Sequence, residues 1–319
     1  MKLTIDGIRK AAERISSYAV RTPLLRLYSL DKYLGCEVYA KAECMQSTGS
    51  FKFRGAMNKI LSLAKDELQR GIVTASSGNH GKAVSYAAKM LGVKAVIVLP
   101  YTAAKIKVDT IRAWGAEIVQ CEVAERFEVA GKICRERNMT FIPPFNDVAV
   151  MAGQGTAGLE IAEQCSGLDS VIVPVSGGGL ISGVSTAMKA LSPGTKIYGA
   201  EPEVLPRYTE SLKAGKPVTV DAKKSVADGL VSLIPGDLCF PCAAANVDAF
   251  ADVSEDYILK GTKLMLMEGK ILCEPSSAIT LGAVLQGLIT VKKSDKVCFF
   301  LSGGSVSLEQ LRLLEDVEI

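Results

Sequence analysis

The feature that most limits what this chain can become is a recurring order: a run of β-branched residues, a loop of glycine and serine, then an amphipathic segment. One copy reads GIVTA, SSGNHG, KAVSYAAKMLG and VKAVIVLP, where Ala83, Tyr86, Ala87, Met90 and Leu91 form a helical stripe ended by Gly92. A second reads SVIVPV, SGGGL, ISGVSTAMKAL and KIYGAEP, and a third strand and loop follow as KVCFFL and SGGS. Such alternation predicts an α/β fold of mostly parallel twisted sheets with helices on both faces. At 319 residues the chain exceeds the roughly 250 at which single cores tend to split, so two lobes are expected. The two consecutive prolines of IPPFND, residues 142–147, mark the best candidate for a crossover between them.

Composition narrows the partners. Apolar residues make up 48% and charged residues 22%, and the formal net charge of +3 is spread along the chain, so neither a nucleic-acid nor a membrane role is expected. The longest apolar runs, such as AVIVLP, fall far short of the roughly 20 residues that span a bilayer and read as buried strands. Nine cysteines are an odd count in a long chain without a signal-peptide pattern, which fits free thiols in a reduced, cytoplasmic setting. With one histidine, His80, and scattered cysteines, no metal site is expected from ligand spacing.

Three loops carry the candidate chemistry. STGSFKFRGA, from Ser47 to Ala56, sets Lys52 between two phenylalanines where a helix should start, with Ser50 as its N-cap. Phe53, Ala56, Met57, Ile60, Leu61 and Ala64 supply that helix's apolar stripe. Desolvation by Phe51 and Phe53, the neighbouring cation Arg54 and the positive end of the helix dipole all disfavour the ammonium form. A neutral amine is what condensation with an aldehyde requires, although a snorkelling surface lysine is the commoner fate.

SGGGL, Ser176 to Leu180, can gather backbone N–H groups around a phosphate at a helix start, or serve tight packing alone. It has neither the P-loop lysine nor the GxGxxG spacing. SSGNHG, Ser76 to Gly81, offers hydroxyls, an amide and helix-start N–H groups to a carboxylate or a ring oxygen, with His80 a structural hydrogen-bonder before it is a base. Ligands of parallel sheets collect at the carboxyl ends of strands, where these two loops and the terminal SGG, Ser302 to Gly304, are placed.

In that order STGSFKFRGA, ASSGNHGKA, VPVSGGGLISG, CEPSSA and LSGGS resemble the pyridoxal-phosphate enzymes of the tryptophan-synthase-like fold (fold type II). Within them the nearest branch is the serine/threonine dehydratase and serine racemase family, and the likeness covers nearly the whole chain. The resemblance implies pyridoxal 5′-phosphate as cofactor, a small β-hydroxy amino acid as substrate, and a homodimer. It also implies a large cofactor-binding lobe from residues 1–66 and 147–319 and a small lobe from 67–146. Lys52 would hold the cofactor and later move the Cα proton, with Phe51 against the cofactor ring. Asn79 would bond the ring's 3′ oxygen, Gly177, Gly178, Gly179 and Leu180 the phosphate, and Ser302 the pyridine nitrogen, with Glu274 near the cofactor. Ser47, Thr48, Gly49, Ser76, Ser77 and His80 would receive the substrate carboxylate, and Arg126 would lie near the substrate.

A serine hydroxyl at the pyridine nitrogen makes a weaker electron sink than a carboxylate, which favours loss of a β-leaving group. The expected activity is β-elimination from L-threonine or L-serine to 2-oxobutanoate or pyruvate plus ammonia. Racemisation shares the first proton transfer but needs a second acid on the opposite face, for which Ser77 is the candidate, so serine racemase with side dehydratase activity is the alternative. A 3-hydroxyaspartate dehydratase and a non-catalytic binding protein rank below both. Two positions depart from the resemblance. The divalent-cation positions of many relatives fall on Glu201, Leu205 and Arg207, and arginine cannot ligate a cation, so that site is expected to be lost or replaced. Ser305 stands where relatives commonly have asparagine. Phe145 of PPF would favour a small or apolar substrate side chain.

Overall fold

The computed structural model describes residues 2–76, 78–103 and 105–319, apart from the side chains of residues 106 and 107. Its strands, in chain order, are β1 (Leu24–Arg26), β2 (Glu37–Lys41), β3 (Ile72–Ala75), β4 (Ala95–Pro100), β5 (Glu117–Cys121), β6 (Thr140–Phe141), β7 (Ser170–Pro174), β8 (Lys196–Pro202), β9 (Ala249–Val253) and β10 (Lys296–Phe300). One sheet has six strands in the order β1-β2-β10-β7-β8-β9 and the other has four in the order β5-β4-β3-β6. All pairings are parallel except that of β1 with β2.

Burial explains which runs became central strands. β3, β4 and β7 are buried at every position, as parallel strands covered on both faces must be. β5 and β9, at sheet edges, are mixed. Among the described residues no helix is long and apolar enough to cross a membrane.

Ile142 to Asp147 leads from β6 of the four-stranded sheet to the helix Val148–Gln164, whose N-cap Asp147 accepts from the N–H groups of Ala149 and Val150. That helix packs between the helices Lys52–Leu61 and Gly179–Leu191. The contact depends on small residues: a Cβ on Gly183 would stand 2.4 Å from the Met151 carbonyl oxygen and 2.5 Å from the Gly155 nitrogen. Both obstacles are backbone, so neither can turn aside.

Two local expectations are corrected. The helix Lys52–Leu61 buries Phe53, Ala56, Met57 and Ile60, but it ends before Ala64, which is exposed ahead of the next helix. In the helix Asn79–Leu91, Ala83 and Ala87 are buried and Gly92 provides the left-handed C-cap, whereas Met90 is exposed and Val84 and Ala88 take the inner face.

Gly183→Ala is expected to force two helix backbones apart and lower unfolding free energy by roughly 1–3 kcal/mol, a shift that denaturant titration followed by circular dichroism would register.

Candidate active site

Lys52 opens its helix, and its Nζ donates to the Pro144 carbonyl at 2.7 Å while lying 5.2 Å from the Phe51 ring centroid. Desolvation by burial lowers its pKa from 10.5 to about 8. Of the forces anticipated, that one operates. Phe53 instead turns into the core beside Tyr86, and Arg54 points to Glu43 and Glu160, at 2.8 and 2.7 Å. Ser50 is not a side-chain N-cap either: Phe51 holds that position, and the Ser50 hydroxyl is buried without a partner.

The approach to Lys52 is pinned to the end of β10. Phe51 N–H donates to the Ser302 carbonyl at 3.0 Å, Gly304 N–H donates to the Gly49 carbonyl at 2.9 Å, and Ser50 bridges Gly303. Ser47 is exposed at the start of this stretch and Thr48 is buried. The Ser302 hydroxyl lies 3.0 Å from the Ser277 hydroxyl, which also bonds the Gly303 backbone at 2.8 and 2.9 Å. Ser277 was not singled out from the sequence, although CEPSSA contains it.

Asn79 begins the helix after β3, donating through Nδ2 to Glu274 Oε1 at 2.8 Å and accepting from the Ser305 hydroxyl at 2.8 Å. Glu274 is buried, which raises its pKa against the pull of Asn79 and the Ser305 N–H. Ser76 accepts from Gly78 N–H at 3.3 Å. Ser77 lies outside the described residues. His80 Nε2 lies 3.0 Å from the Ile142 carbonyl and therefore donates to it. Burial, then the nearby Lys52 charge, pushes the imidazole down to about 3, so it is neutral, and its buried Nδ1 has no partner among the described residues.

Gly177 to Leu180 turn from β7 into the helix Gly179–Leu191, whose first N–H groups have no partner within the helix. Gly178 is left-handed, with φ 101°, and a Cβ there would fall 1.7 Å from the Tyr208 hydroxyl oxygen, so only glycine leaves this concavity open. The Gly177 carbonyl accepts from Gly236 N–H at 2.9 Å and from Tyr208 at 3.4 Å. Cys239, which forms a C-x-x-C pair with Cys242, packs against Gly178, and burial pushes its thiol up to about 12. The sequence reading passed over that pair.

Arg126 is not drawn into this group by any bond of its own guanidinium, which donates to Val123 in the same turn. Its neighbour Phe127 instead lines a cavity of about 280 Å³ with Pro143, Pro144, Phe145, Asn146, Ile234, Pro235, Gly236 and Asp237.

The cation expectation takes a definite form. Arg207 is fully buried, and its guanidinium donates to the carbonyls of Leu205 at 2.7 and 3.0 Å, Leu230 at 2.9 Å and Val175 at 3.4 Å. Glu201 faces it at 3.5 Å and accepts from the N–H groups of Tyr208 and Thr209. The side chain fills the space among these oxygens with its own positive charge.

Thr48 Oγ1, Ser50 Oγ and His80 Nδ1 are buried polar atoms without partners among the described residues. They lie on the loops that carry Lys52 and Asn79, which is where a polar ligand would satisfy them. A family model described as pyridoxal-phosphate dependent enzyme matches residues 15–303. The chain belongs to that family. Its cofactor is pyridoxal phosphate, and the residues present fit it: Lys52 would meet the aldehyde, Gly177 to Leu180 would hold the phosphate, and Asn79 and Ser302 would meet the ring. Among similar proteins, serine racemase of Arabidopsis thaliana is 40% identical over 313 residues, covering 96% of this chain and 94% of that one. L-threonine ammonia-lyase of Thermotoga maritima is 38% identical, covering 97% and 77%. The structure of maize serine racemase superposes with a TM-score of 0.93 at 38% identity, covering 98% of this chain and 97% of that one.

Two outcomes follow. Because Lys52 is held at about 8 against 10.5, the folded cofactor-free enzyme binds fewer protons than the unfolded chain between those values, so its stability rises with pH across that window. Its rate of capturing pyridoxal phosphate should climb to a plateau above about 8, and Lys52→Met should abolish both trends in melting and absorbance measurements. Since Arg207 occupies its own oxygen cluster, activity of the native enzyme should be unchanged by dialysis against a chelator or by added magnesium.

Proposed function

We propose that this enzyme removes the Cα proton of L-serine with Lys52 and releases product by two routes: reprotonation to D-serine, and loss of the β-hydroxyl to yield pyruvate and ammonia. It is a serine racemase with ammonia-lyase side activity. The observation that carries the reading is the Lys52 amine, buried enough for its pKa to fall to about 8 and thus able to exchange a proton near neutrality. The likeness to serine racemases supports the first route.

When bound, pyridoxal phosphate withdraws electrons from the substrate Cα. The remaining work belongs to the chain. Lys52 takes the proton at Cα, and the Pro144 carbonyl, 2.7 Å from its Nζ, orients the amine. The Ser302 hydroxyl, neutral and linked to Ser277, would face the pyridine nitrogen of the bound cofactor without adding charge. The unpaired hydroxyls of Thr48 and Ser50 supply donors for the substrate carboxylate. The second acid that racemisation requires is assigned to Ser77.

A second reading, an ammonia-lyase acting mainly on L-threonine, is favoured by the cavity beside Pro144. Phe127, Phe145, Ile234 and three prolines in that region give it largely apolar walls, and one extra methyl in an apolar pocket is worth about 10–200-fold in kcat/KM. Asp237 on the same wall opposes the second carboxylate of 3-hydroxyaspartate.

Chiral analysis and keto-acid assay on L-serine, L-threonine and 3-hydroxyaspartate decide between these. D-serine together with slower pyruvate is expected. Keto acid alone, greatest from threonine, would select the second reading, and neither product from enzyme loaded at Lys52 would reject both.

A further inference from the structure

Asn79 and Lys82 occupy the first turn of the helix that follows β3 of the four-stranded sheet, while Glu274 and Ser305 lie on loops of the six-stranded side. The Ser305 hydroxyl is 2.8 Å from both Lys82 Nζ and Asn79 Oδ1. The Ser305 N–H and Asn79 Nδ2 each reach Glu274 Oε1 at 2.8 Å. These bonds have only one consistent direction. An ammonium group can only donate, so the single proton of the Ser305 hydroxyl goes to Asn79 Oδ1. The Asn79 amide then has its oxygen towards Ser305 and its nitrogen towards Glu274, with one N–H left over.

We propose that Ser305 and Lys82 are positioning residues for Asn79: with Glu274 they fix the orientation of its amide so that the remaining N–H is presented to the cofactor ring, and they tie the two sheets together beside that ring. The inference rests on the reading that Asn79 meets the ring. Without the Ser305 hydroxyl the amide oxygen loses its donor, Lys82 loses an acceptor, and the amide is held in place by Glu274 alone. Glu274, which accepts from Nδ2, sets the same orientation from the other side of the amide, because the nitrogen and oxygen share one carbon. The serine is anchored at both ends: its backbone N–H is on Glu274 and its hydroxyl, one carbon from the backbone, reaches Asn79.

The test uses binding and spectroscopy, so it does not require turnover and separates this inference from the proposed activity. The measured quantities are the affinity of cofactor-free enzyme for pyridoxal phosphate and the visible spectrum of the bound form, in S305A, S305T, K82M, N79A and the S305A/N79A double variant. S305A should weaken binding about tenfold, the scale of one lost hydrogen bond, and shift the visible band. S305T, which keeps the hydroxyl, should stay within about twofold of the native affinity, and K82M should fall between the two. N79A should be weaker still, and the double variant no weaker than N79A, because Ser305 acts through Asn79. Losses that simply add in the double variant would show Ser305 to be an ordinary packing or sheet-linking residue, and unchanged affinity and spectrum in S305A would overturn the proposal outright. If S305A does not fold, K82M and its combination with N79A carry the same comparison.

Discussion

The Lys52 amine loses basicity through burial and not through its cationic neighbour, because Arg54, two residues away, is fully engaged elsewhere. Arg54 is almost completely buried, bonded to Glu43 and Glu160, and shares Glu160 with Lys41. Burial works against charge in both Arg54 and Glu43, yet pairing prevails: Arg54 is held above its ordinary value and Glu43 below. This closed layer also takes in Thr22 and the Val20 carbonyl, fixing the base of the helix whose first turn carries Lys52. Breaking such a layer leaves an uncompensated buried charge, which is far costlier than losing a surface pair.

Above that layer the site is assembled largely from backbone. The end of β10 is hydrogen-bonded to the residues before Lys52, so the loop that holds Ser302 and the loop that holds Phe51 move as one. The glycine turn after β7 is braced separately by Tyr208, Gly236 and, through Val175, by Arg207. A cofactor held between two such supports is oriented before the substrate arrives, and preorganisation of this kind is where most catalytic electrostatics originate. Arg207 gathers carbonyls from three segments around its guanidinium.

Much of this was legible in the residues. The β-branched runs became the central strands because full burial on both faces demands such side chains, and the glycine and serine loops follow the carboxyl ends of β3, β7 and β10. Lys52 was legible because its apolar neighbour and helix-start position constrain its charge. Other readings failed for tertiary reasons. Ser50 has the right residue type for an N-cap, but pairing with Gly303 turns its backbone another way. Arg54 was read as a repulsive neighbour, whereas its carboxylate partners come from residues 43 and 160, one of them more than 100 positions distant. Arg126 is a separate case: its guanidinium bonds its own turn, and its neighbour Phe127 lines the cavity.

The sequence by itself determined the class of fold, because that depends on local quantities such as apolar periodicity and glycine where a Cβ has no room, and its ordered motifs carried the resemblance that implied the cofactor and the role of Lys52. Only the tertiary structure decided which groups complete the site. The direction of the Asn79 amide, the pairing of Ser302 with Ser277, and the hold of the Val175 and Leu230 oxygens on Arg207 all join residues far apart in the chain. A hydrogen bond depends on distance and angle in space, and the order of residues encodes neither until the sheets have packed.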